Sequence, residues 1–293
     1  MFESHQGCLG KPRSGKTRSF SLRESELKKK QILLTNDDGI LSPGLWAAAS
    51  SLSALGFVTV AAPREQSSGT GRSQPATSDG VIQAVSLEVL GRQWTAYAVG
   101  GTPAQAVLHG ILEIMPGKPD LVVSGINYGE NVGLGITVSG TIGAAMEGAA
   151  MGVPSLAVSL ETDREHYFSY STDVDFSAAA HFTALFASWL LKKGLPQGVD
   201  LLKIEVPSDA TPGTSWMLTH MSRSRYFDPR PPERESWDMP GRLGFDVSSS
   251  FEREGQDSEV HALRVLRKVA VTPLTLDMTA GVDFSALAKQ LQD

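Results

Sequence analysis

The sequence predicts an α/β domain built around a mostly parallel sheet, and three observations lead to this prediction. Short runs rich in β-branched and apolar residues recur along the chain, and the segments between them have helix-forming composition. The first unit reads strand, helix, strand over residues 31–63, which is the start of a parallel sheet with a right-handed crossover. LVVSG (121–125) is a continuous apolar run of the kind that central parallel strands carry, because both of their faces are buried.

The individual elements are justified in chain order by the same signals. QILLT (31–35) ends directly at a polar turn, and LWAAASSLSALG (45–56) closes on a glycine, a common helix stop. The runs 81–90 and 93–99 alternate in polarity around a glycine and indicate a hairpin. The remaining segments are strands at 57–63, 121–125, 154–160 and 201–207, and helices at 103–114, 140–152, 173–193 and 283–292.

The C-terminal third of the chain is less regular. The segment 222–257 clusters Pro, Arg and Glu, which predicts a loop or an extended arm, whereas 259–277 returns to strand-like residues. We therefore expect one α/β domain over residues 31–293, with a C-terminal third that serves oligomerisation.

Composition and charge argue against several classes of protein. The chain has 293 residues, of which 41% are hydrophobic, and this is ample material for a buried core. A formal net charge of −6 argues against stable binding to nucleic acid. No apolar run approaches the roughly 18 to 20 residues of a membrane span, so we expect a soluble protein without a membrane partner. The single cysteine, Cys8, cannot form an intramolecular disulfide, which makes the cytoplasm the expected location.

Residues 1–30 form a separate N-terminal segment. They carry eight Lys or Arg against three Glu, with few large apolar residues, and this composition favours a basic, disordered tail. GKPRSGKT (10–17) fits the phosphate-loop pattern of ATPases and GTPases, but no β-branched strand precedes it and mostly polar residues follow. We interpret it as a chance match, with a phosphate-loop NTPase as the less favoured alternative. A targeting peptide is a second alternative for this segment.

The sharpest chemical feature is TNDDG (35–39), which follows the first predicted strand. Asp37 and Asp38 are adjacent carboxylates at the carboxyl end of a strand, where open α/β sheets bind their ligands. Because neighbouring carboxylates repel each other, holding both ionised usually requires a cation, and Mg²⁺ or Mn²⁺ prefers such oxygen ligands. All of these residue types also favour tight turns, so this stretch alone leaves a purely structural turn open.

A glycine-rich segment follows the central predicted strand. SGINYGENVGLGITVSGTIGAAMEG (124–148) holds seven Gly, which allow a ligand to approach the backbone closely. Its Ser-Gly-Thr at 139–141 begins a predicted helix, where N–H groups, hydroxyls and the positive end of the helix dipole can receive a phosphate. Tight packing of a small-residue helix on the sheet is the structural alternative. The polar loop 63–73 places Ser68 at the same edge, where its hydroxyl is a candidate metal ligand.

Several long motifs in a fixed order give the chain a family resemblance. It resembles the SurE family, the stationary-phase survival proteins that are metal-dependent nucleotidases, over residues 31–160 and again near 272. The motifs are ILLTNDDGI-x-SPG (32–44), APREQSSG (62–69), GTP (101–103), PDLVVSGINYGENVG (119–133), SGTIGAAMEGAAMGVPSLAVS (139–159) and TPLTLDMTA (272–280).

The resemblance implies both an architecture and an activity. It implies a Rossmann-like, three-layer α/β domain with an extended C-terminal arm within 222–270, and homodimers or homotetramers built with that arm. It implies one divalent metal ion, Mg²⁺ or Mn²⁺, and removal of phosphate from nucleoside monophosphates. The implied metal ligands are Asp37, Asp38, Ser68 and Asn127, and the two aspartates are also the implied catalytic residues. The positions implied near the substrate phosphate are Asn36, Ser139, Gly140 and Thr141.

The sequence departs from the commonest family pattern at three places. Arg64 follows the Ala-Pro pair, Gln105-Ala106 follows the Gly-Thr-Pro motif, and Val138 precedes Ser-Gly-Thr. None of these positions is an implied metal ligand, but they bear on the nucleoside pocket, so base preference and the choice of 5′ or 3′ phosphate are not carried over. They leave open a catalytically weak nucleotide-binding or regulatory homologue as the alternative function.

Overall fold

The computed structural model describes residues 29–167, 169–248, 251 and 254–292 of the chain. GKPRSGKT (10–17) and nearly all of the predicted basic tail lie outside the described residues.

The described chain forms strands and helices in an α/β order. The strands are β1 (Lys30–Thr35), β2 (Gly56–Pro63), β3 (Ile82–Val89), β4 (Arg92–Val99), β5 (Leu121–Tyr128), β6 (Ser155–Leu160), β7 (Leu201–Val206), β8 (Trp216–Leu218), β9 (Phe227–Arg230), β10 (Gly244–Val247) and β11 (Val269–Leu274). The helices are α1 (Pro43–Leu52), α2 (Pro103–His109), α3 (Gly140–Ala150), α4 (Ser177–Lys193), α5 (Glu259–Arg264) and α6 (Phe284–Gln290). A π-helical turn follows α2 at Gly110–Ile114, and 3₁₀ turns lie at Gly133–Val138 and Arg164–His166.

A nine-stranded, mostly parallel sheet carries the fold. Its strand order is β3-β4-β2-β1-β5-β6-β7-β11-β8, and the six strands from β4 to β7 are parallel to one another. Antiparallel pairing occurs where β3 joins β4 and where β11 joins β7. β9 and β10 form a separate antiparallel hairpin. This topology confirms the predicted Rossmann-like α/β class.

Helices cover both faces of the sheet, which makes three layers. In β1, Ile32 and Leu34 belong to the larger core beneath α1 and α4, whereas Leu33 belongs to the second core beneath α2 and α3. The alternation follows from the period of two in a strand, which sends successive side chains to opposite faces. β5 and β6 are buried at every residue, as expected for central parallel strands.

Most of the predicted elements are confirmed with shifts of a few residues, and two needed correction. The predicted helix 103–114 is α-helical only to His109 and continues as the π-helical turn. The expectation of strand-like structure from residue 259 is wrong for α5, where Ser258 caps the helix by accepting a hydrogen bond from the His261 N–H. This short helix buries Val260 and Leu263 on one face, so tertiary packing overrides the β propensity of Val260.

Within the described part of the chain, no helix combines the length and the apolar character that crossing a membrane requires.

Candidate active site

A cavity of about 750 Å³ opens at the carboxyl ends of β1 and β5. These two strands are neighbours, but the chain leaves β1 towards β2 on one side and β5 towards β6 on the other. Such a topological switch point is where open α/β sheets bind their ligands. Of the predicted site residues, Asp37, Ser68, Asn127 and Ser139 line this cavity. The remaining ones, which do not line it, are Asn36, Asp38, Gly140 and Thr141.

A tight turn after β1 presents the two aspartates. Gly39 has a positive φ of 101°, a conformation that favours glycine. The Asn36 side chain closes the turn, since its Nδ2 donates to the Gly39 carbonyl at 3.0 Å and its Oδ1 accepts from the Gly39 N–H at 3.2 Å. The Asn36 side chain therefore stabilises the turn by bonding to its backbone. Turn chemistry and site chemistry coexist in this stretch.

The start of α3 holds Asp37. The Thr141 hydroxyl donates to Asp37 Oδ1 at 2.5 Å across 104 positions in the sequence. Gly140 lies so close that a β-carbon there would stand 2.7 Å from the Asp37 β-carbon and 2.9 Å from Oδ2. Ser139 caps the helix, its Oγ accepting a hydrogen bond from the Ile142 N–H at 3.2 Å. The predicted phosphate-binding donors thus surround a carboxylate that lines the cavity.

Asp38 faces β5 and the loop after β2. Its Oδ2 accepts a hydrogen bond from the Tyr128 N–H at 3.3 Å, and its Oδ1 accepts one from Gln66 Nε2 at 3.4 Å. Its backbone carbonyl accepts from the Tyr170 hydroxyl at 2.8 Å. These contacts tie the aspartate turn to β5, which carries Asn127.

Both carboxyl groups are almost wholly buried, with 4% of Asp37 and 2% of Asp38 exposed. Burial raises the pKa of Asp37, and hydrogen bonds from Thr141 and from backbone N–H groups oppose this rise. Burial and then the neighbouring Asp37 charge raise the pKa of Asp38 well above its usual value. Among the described residues, no Lys or Arg forms a salt bridge with either carboxylate.

Asn127 and Ser68 complete the group predicted to bind metal. A β-bulge in β5 between Ser124 and Asn127 interrupts its register with β6, and bulges commonly re-aim side chains. Asn127 Nδ2 donates to the carbonyls of Tyr128 and Gly129 at 3.1 and 2.7 Å, which fixes the amide plane and leaves Oδ1 as the ligand atom. Ser68 is exposed at the cavity. Two buried carboxylates, an oriented amide and a hydroxyl are a donor set that fits a hard divalent cation.

The other helical glycines of α3 serve packing. A β-carbon at Gly143 would lie 2.3 Å from the Gly71 carbonyl oxygen, and one at Gly148 would lie 2.7 Å from Ser155 Oγ. The Gly71 N–H also donates to the Val138 carbonyl at 2.9 Å, so the loop carrying Ser68 is fastened to the start of α3. The packing interpretation of this small-residue helix is therefore confirmed at Gly143 and Gly148, and phosphate binding at its start stays a prediction.

Buried charged side chains form hydrogen bonds with the backbone of the loop that follows β5. Lys203 Nζ donates to the Asn131 carbonyl at 2.9 Å and to Glu205 Oε1 at 3.2 Å, and it lies 3.5 Å from Glu259 Oε2. Glu205 in turn accepts from the Asn131 N–H, and Glu259 accepts from the Gly133 N–H at 2.7 Å. The side chains of all three charged residues are fully buried. Residues from the C-terminal part of the chain thus fix the backbone next to Asn127.

Several cavity residues were not expected from the sequence. Glu130, Tyr167, Arg225, Phe227 and Phe245 line the same cavity as Asp37. Glu130 lies among turn-forming residues, and Phe227 and Phe245 lie in a segment whose composition indicated only a loop or an arm. The alternation of the hairpin residues was too short to show which face they would present.

The three departures from the family pattern lie in different surroundings. Arg64 lines a separate polar cavity of about 330 Å³ and forms a salt bridge with Asp79 at 2.7 Å. Gln105 belongs to the capping box of α2. Val138 alone of these residues lines the main cavity.

One further group of potential ligands does not line this cavity. Among the described residues, Asp163, Glu165 and His166 bring ligand atoms within 4.8 Å of one another. The two acidic residues are exposed, and exposed acidic groups are common without a bound ion.

The fold and the site define a Rossmann-like α/β protein with an acidic, oxygen-rich centre at the switch point of its sheet. Comparison with known proteins then identifies the family. The family model described as "Survival protein SurE" matches residues 32–228. The chain is 44% identical to the 5′-nucleotidase SurE of Thermococcus gammatolerans over 262 residues, covering 89% of this chain and 96% of that protein. It is 43% identical to the 5′-nucleotidase SurE of Methanothrix thermoacetophila over 272 residues, covering 90% and 99%.

A solved structure agrees with these relatives. The crystal structure of the SurE protein from Aquifex aeolicus superposes with a TM-score of 0.71 at 29% identity, covering 90% of this chain and all of that one. The chain belongs to the SurE family.

Proposed function

We propose that the chain is a metal-dependent phosphomonoesterase that removes phosphate from nucleoside monophosphates, as a 5′-nucleotidase. The observation that carries this proposal is the contact between Asp37 and the start of α3 at the cavity wall. It joins a carboxylate suited to a cation with hydroxyl and N–H donors suited to phosphate oxygens. The relatives named 5′-nucleotidase SurE support the substrate class.

Asp37, Asp38, Ser68 and Asn127 would hold the divalent ion. Mg²⁺ or Mn²⁺ suits these oxygen donors, and when bound such an ion neutralises phosphate charge and promotes ionisation of water. The buried, mutually repelling carboxylates support this assignment, because a cation would stabilise their ionised forms.

The two aspartates have different roles in this proposal. Asp37 lines the cavity, whereas Asp38 is held against the Tyr128 N–H and Gln66. Asp37 therefore meets the reacting atoms and either attacks phosphorus or accepts the proton of the attacking water. The bond between phosphorus and the nucleoside oxygen breaks as a new P–O bond forms. Ser139 lies at the cavity wall, where its helix start stabilises the phosphoryl oxygens.

The test is phosphate release from a panel of nucleoside monophosphates, with Mn²⁺, with Mg²⁺ and with EDTA. We expect release that EDTA abolishes and added metal restores. Asp37→Asn should lose about 10²-fold or more of kcat, because an amide can neither attack phosphorus nor accept the proton of the attacking water. Asp173→Asn is the matched control, since this exposed carboxylate lies outside the cavity.

Two results would contradict the proposal. Near-normal turnover by Asp37→Asn would remove this residue from the reaction. Nucleotide binding without phosphate release from any substrate would instead favour the catalytically weak, regulatory alternative. The predicted homodimer or homotetramer and the predicted cytoplasmic location stay predictions.

A further inference from the structure

Two chemically different kinds of side chain line the main cavity. The first kind is polar and comes from the carboxyl edge of the sheet, as described for Asp37 and Asn127. The second kind is aromatic and comes from the C-terminal hairpin, which contributes Phe227 from β9 and Phe245 from β10. A cavity of this size, with both polar side chains and an apolar wall, suits a ligand that has both a charged and a flat apolar part.

We propose that Phe227 and Phe245 form the subsite for the nucleobase, so that the C-terminal hairpin selects nucleotides over smaller phosphate esters. This inference rests on the proposed function. The inference assigns the phosphate chemistry to residues at the edge of the sheet and the recognition of the base to the hairpin.

The two rings are arranged as a wall. They meet edge to face, with centroids 5.3 Å apart and planes 79° apart, and both side chains are only partly buried. The guanidinium of Arg164 lies 4.6 Å from the centre of the Phe245 ring and supports it. Every nucleobase has a flat π face, so an aromatic ring in a cavity can stack any of them. Arg225 lines the same cavity and adds a planar cation beside the rings.

The wall is fixed to the segment that carries Asn127. Tyr226, next to Phe227, is buried, and its hydroxyl donates to Glu130 Oε1 at 2.6 Å. A second hydroxyl, that of Tyr167, lies 3.3 Å from Glu130 Oε2. Glu130 follows Asn127 by three residues, so one short segment sets both the polar and the aromatic lining.

Two further contacts hold the start of the hairpin against the turn that follows β5. The Leu134 N–H donates to the Ser224 carbonyl at 3.1 Å, and a β-carbon at Gly135 would lie 3.4 Å from the Phe227 ring. A subsite that stands in place before the ligand arrives loses less entropy on binding. The hairpin therefore has the fixed position that base recognition needs.

The experiment compares two substrates that differ only by the base. Adenosine 5′-monophosphate and ribose 5-phosphate share the sugar and the phosphate ester, but the second has no base to stack. For Phe245→Ala we expect KM for the nucleotide to rise about tenfold, and KM for ribose 5-phosphate to change less than about twofold. Phe245→Tyr keeps the ring and should keep the nucleotide KM.

The control variant is Leu243→Ala, on the same arm. Leu243 is 74% exposed and does not line the cavity, so its loss should change neither KM. Equal KM changes for both substrates, or no change for the nucleotide, would overturn the subsite. If the wild-type protein hydrolyses neither compound with any metal, the proposed function itself fails. Hydrolysis of both by wild type, with a nucleotide KM insensitive to Phe245, overturns the subsite alone.

Discussion

Gly140→Ala should disable the site through a single methyl group. The added β-carbon would stand 2.7 Å from the β-carbon of Asp37, whereas two non-bonded carbons normally lie about 3.5 to 4.0 Å apart. Relief of this overlap needs a shift of about 0.8 Å, and Asp37 is buried with its carboxylate tied to Thr141. A misplacement of about 1 Å near a reaction centre can cost about 10²-fold in rate.

We therefore expect Gly140→Ala to lose about 10²-fold in kcat/KM, with a cost of about 1 to 3 kcal/mol in the free energy of unfolding from overpacking. Phosphate release measures the first quantity and urea denaturation the second. Gly117→Ala is the matched control, because a β-carbon there meets no atom within 4 Å. A Gly140→Ala protein with wild-type kcat/KM would refute the reasoning that close approach of the α3 start positions Asp37.

Two other predictions concern the buried carboxyl groups of Glu130, at the cavity wall, and Glu205, behind the loop after β5. Tyr226→Phe should lower the free energy of unfolding by about 1 to 3 kcal/mol in urea denaturation, because buried Glu130 loses its 2.6 Å donor; unchanged unfolding would show that this bond contributes nothing. Glu205→Gln should flatten the pH dependence of thermal stability. Burial, opposed by Lys203, raises the pKa of Glu205 from 4.5 to about 7, so the folded state keeps a proton that the unfolded chain has lost. Wild-type stability from this group falls as pH rises from 4.5 to about 7, and melting curves of the variant that keep the same decline would contradict the assignment.

The sequence predicted those parts of the site whose chemistry is local. Asp37 and Asp38 were found because a strand and its polar turn are continuous in sequence, and Ser139 because a capping residue starts a glycine-containing helix. The parallel topology made it reasonable to place these segments at one edge of the sheet. The metal-ligand and phosphate-binding roles of all these residues stay predictions, as do those of Ser68 and Asn127.

The parts that escaped sequence reasoning depend on distant partners. The sequence around Glu130 indicates only a turn, because the residue that donates a hydrogen bond to it, Tyr226, lies 96 positions away. Val260 and Leu263 lie in a stretch that was predicted to be strand-like. They form a helix because Ser258 caps it and because one face of the helix packs into a hydrophobic core. No periodicity within either segment carries this information, since tertiary packing decides it.

The contacts of the buried Lys203 ammonium show which part of the chain is needed to support the site. The family match ends at residue 228, and every predicted ligand lies before that point. Glu259, however, follows it, and so does β11, which pairs with the edge of β7. A gene fragment ending at 228 would encode all of the predicted metal ligands but leave the buried Lys203 ammonium short of one carboxylate and β7 with an unpaired edge. Recombination between genes of related proteins must therefore transfer Glu259 and β11 together with the residues before 228 if the site is to stay intact.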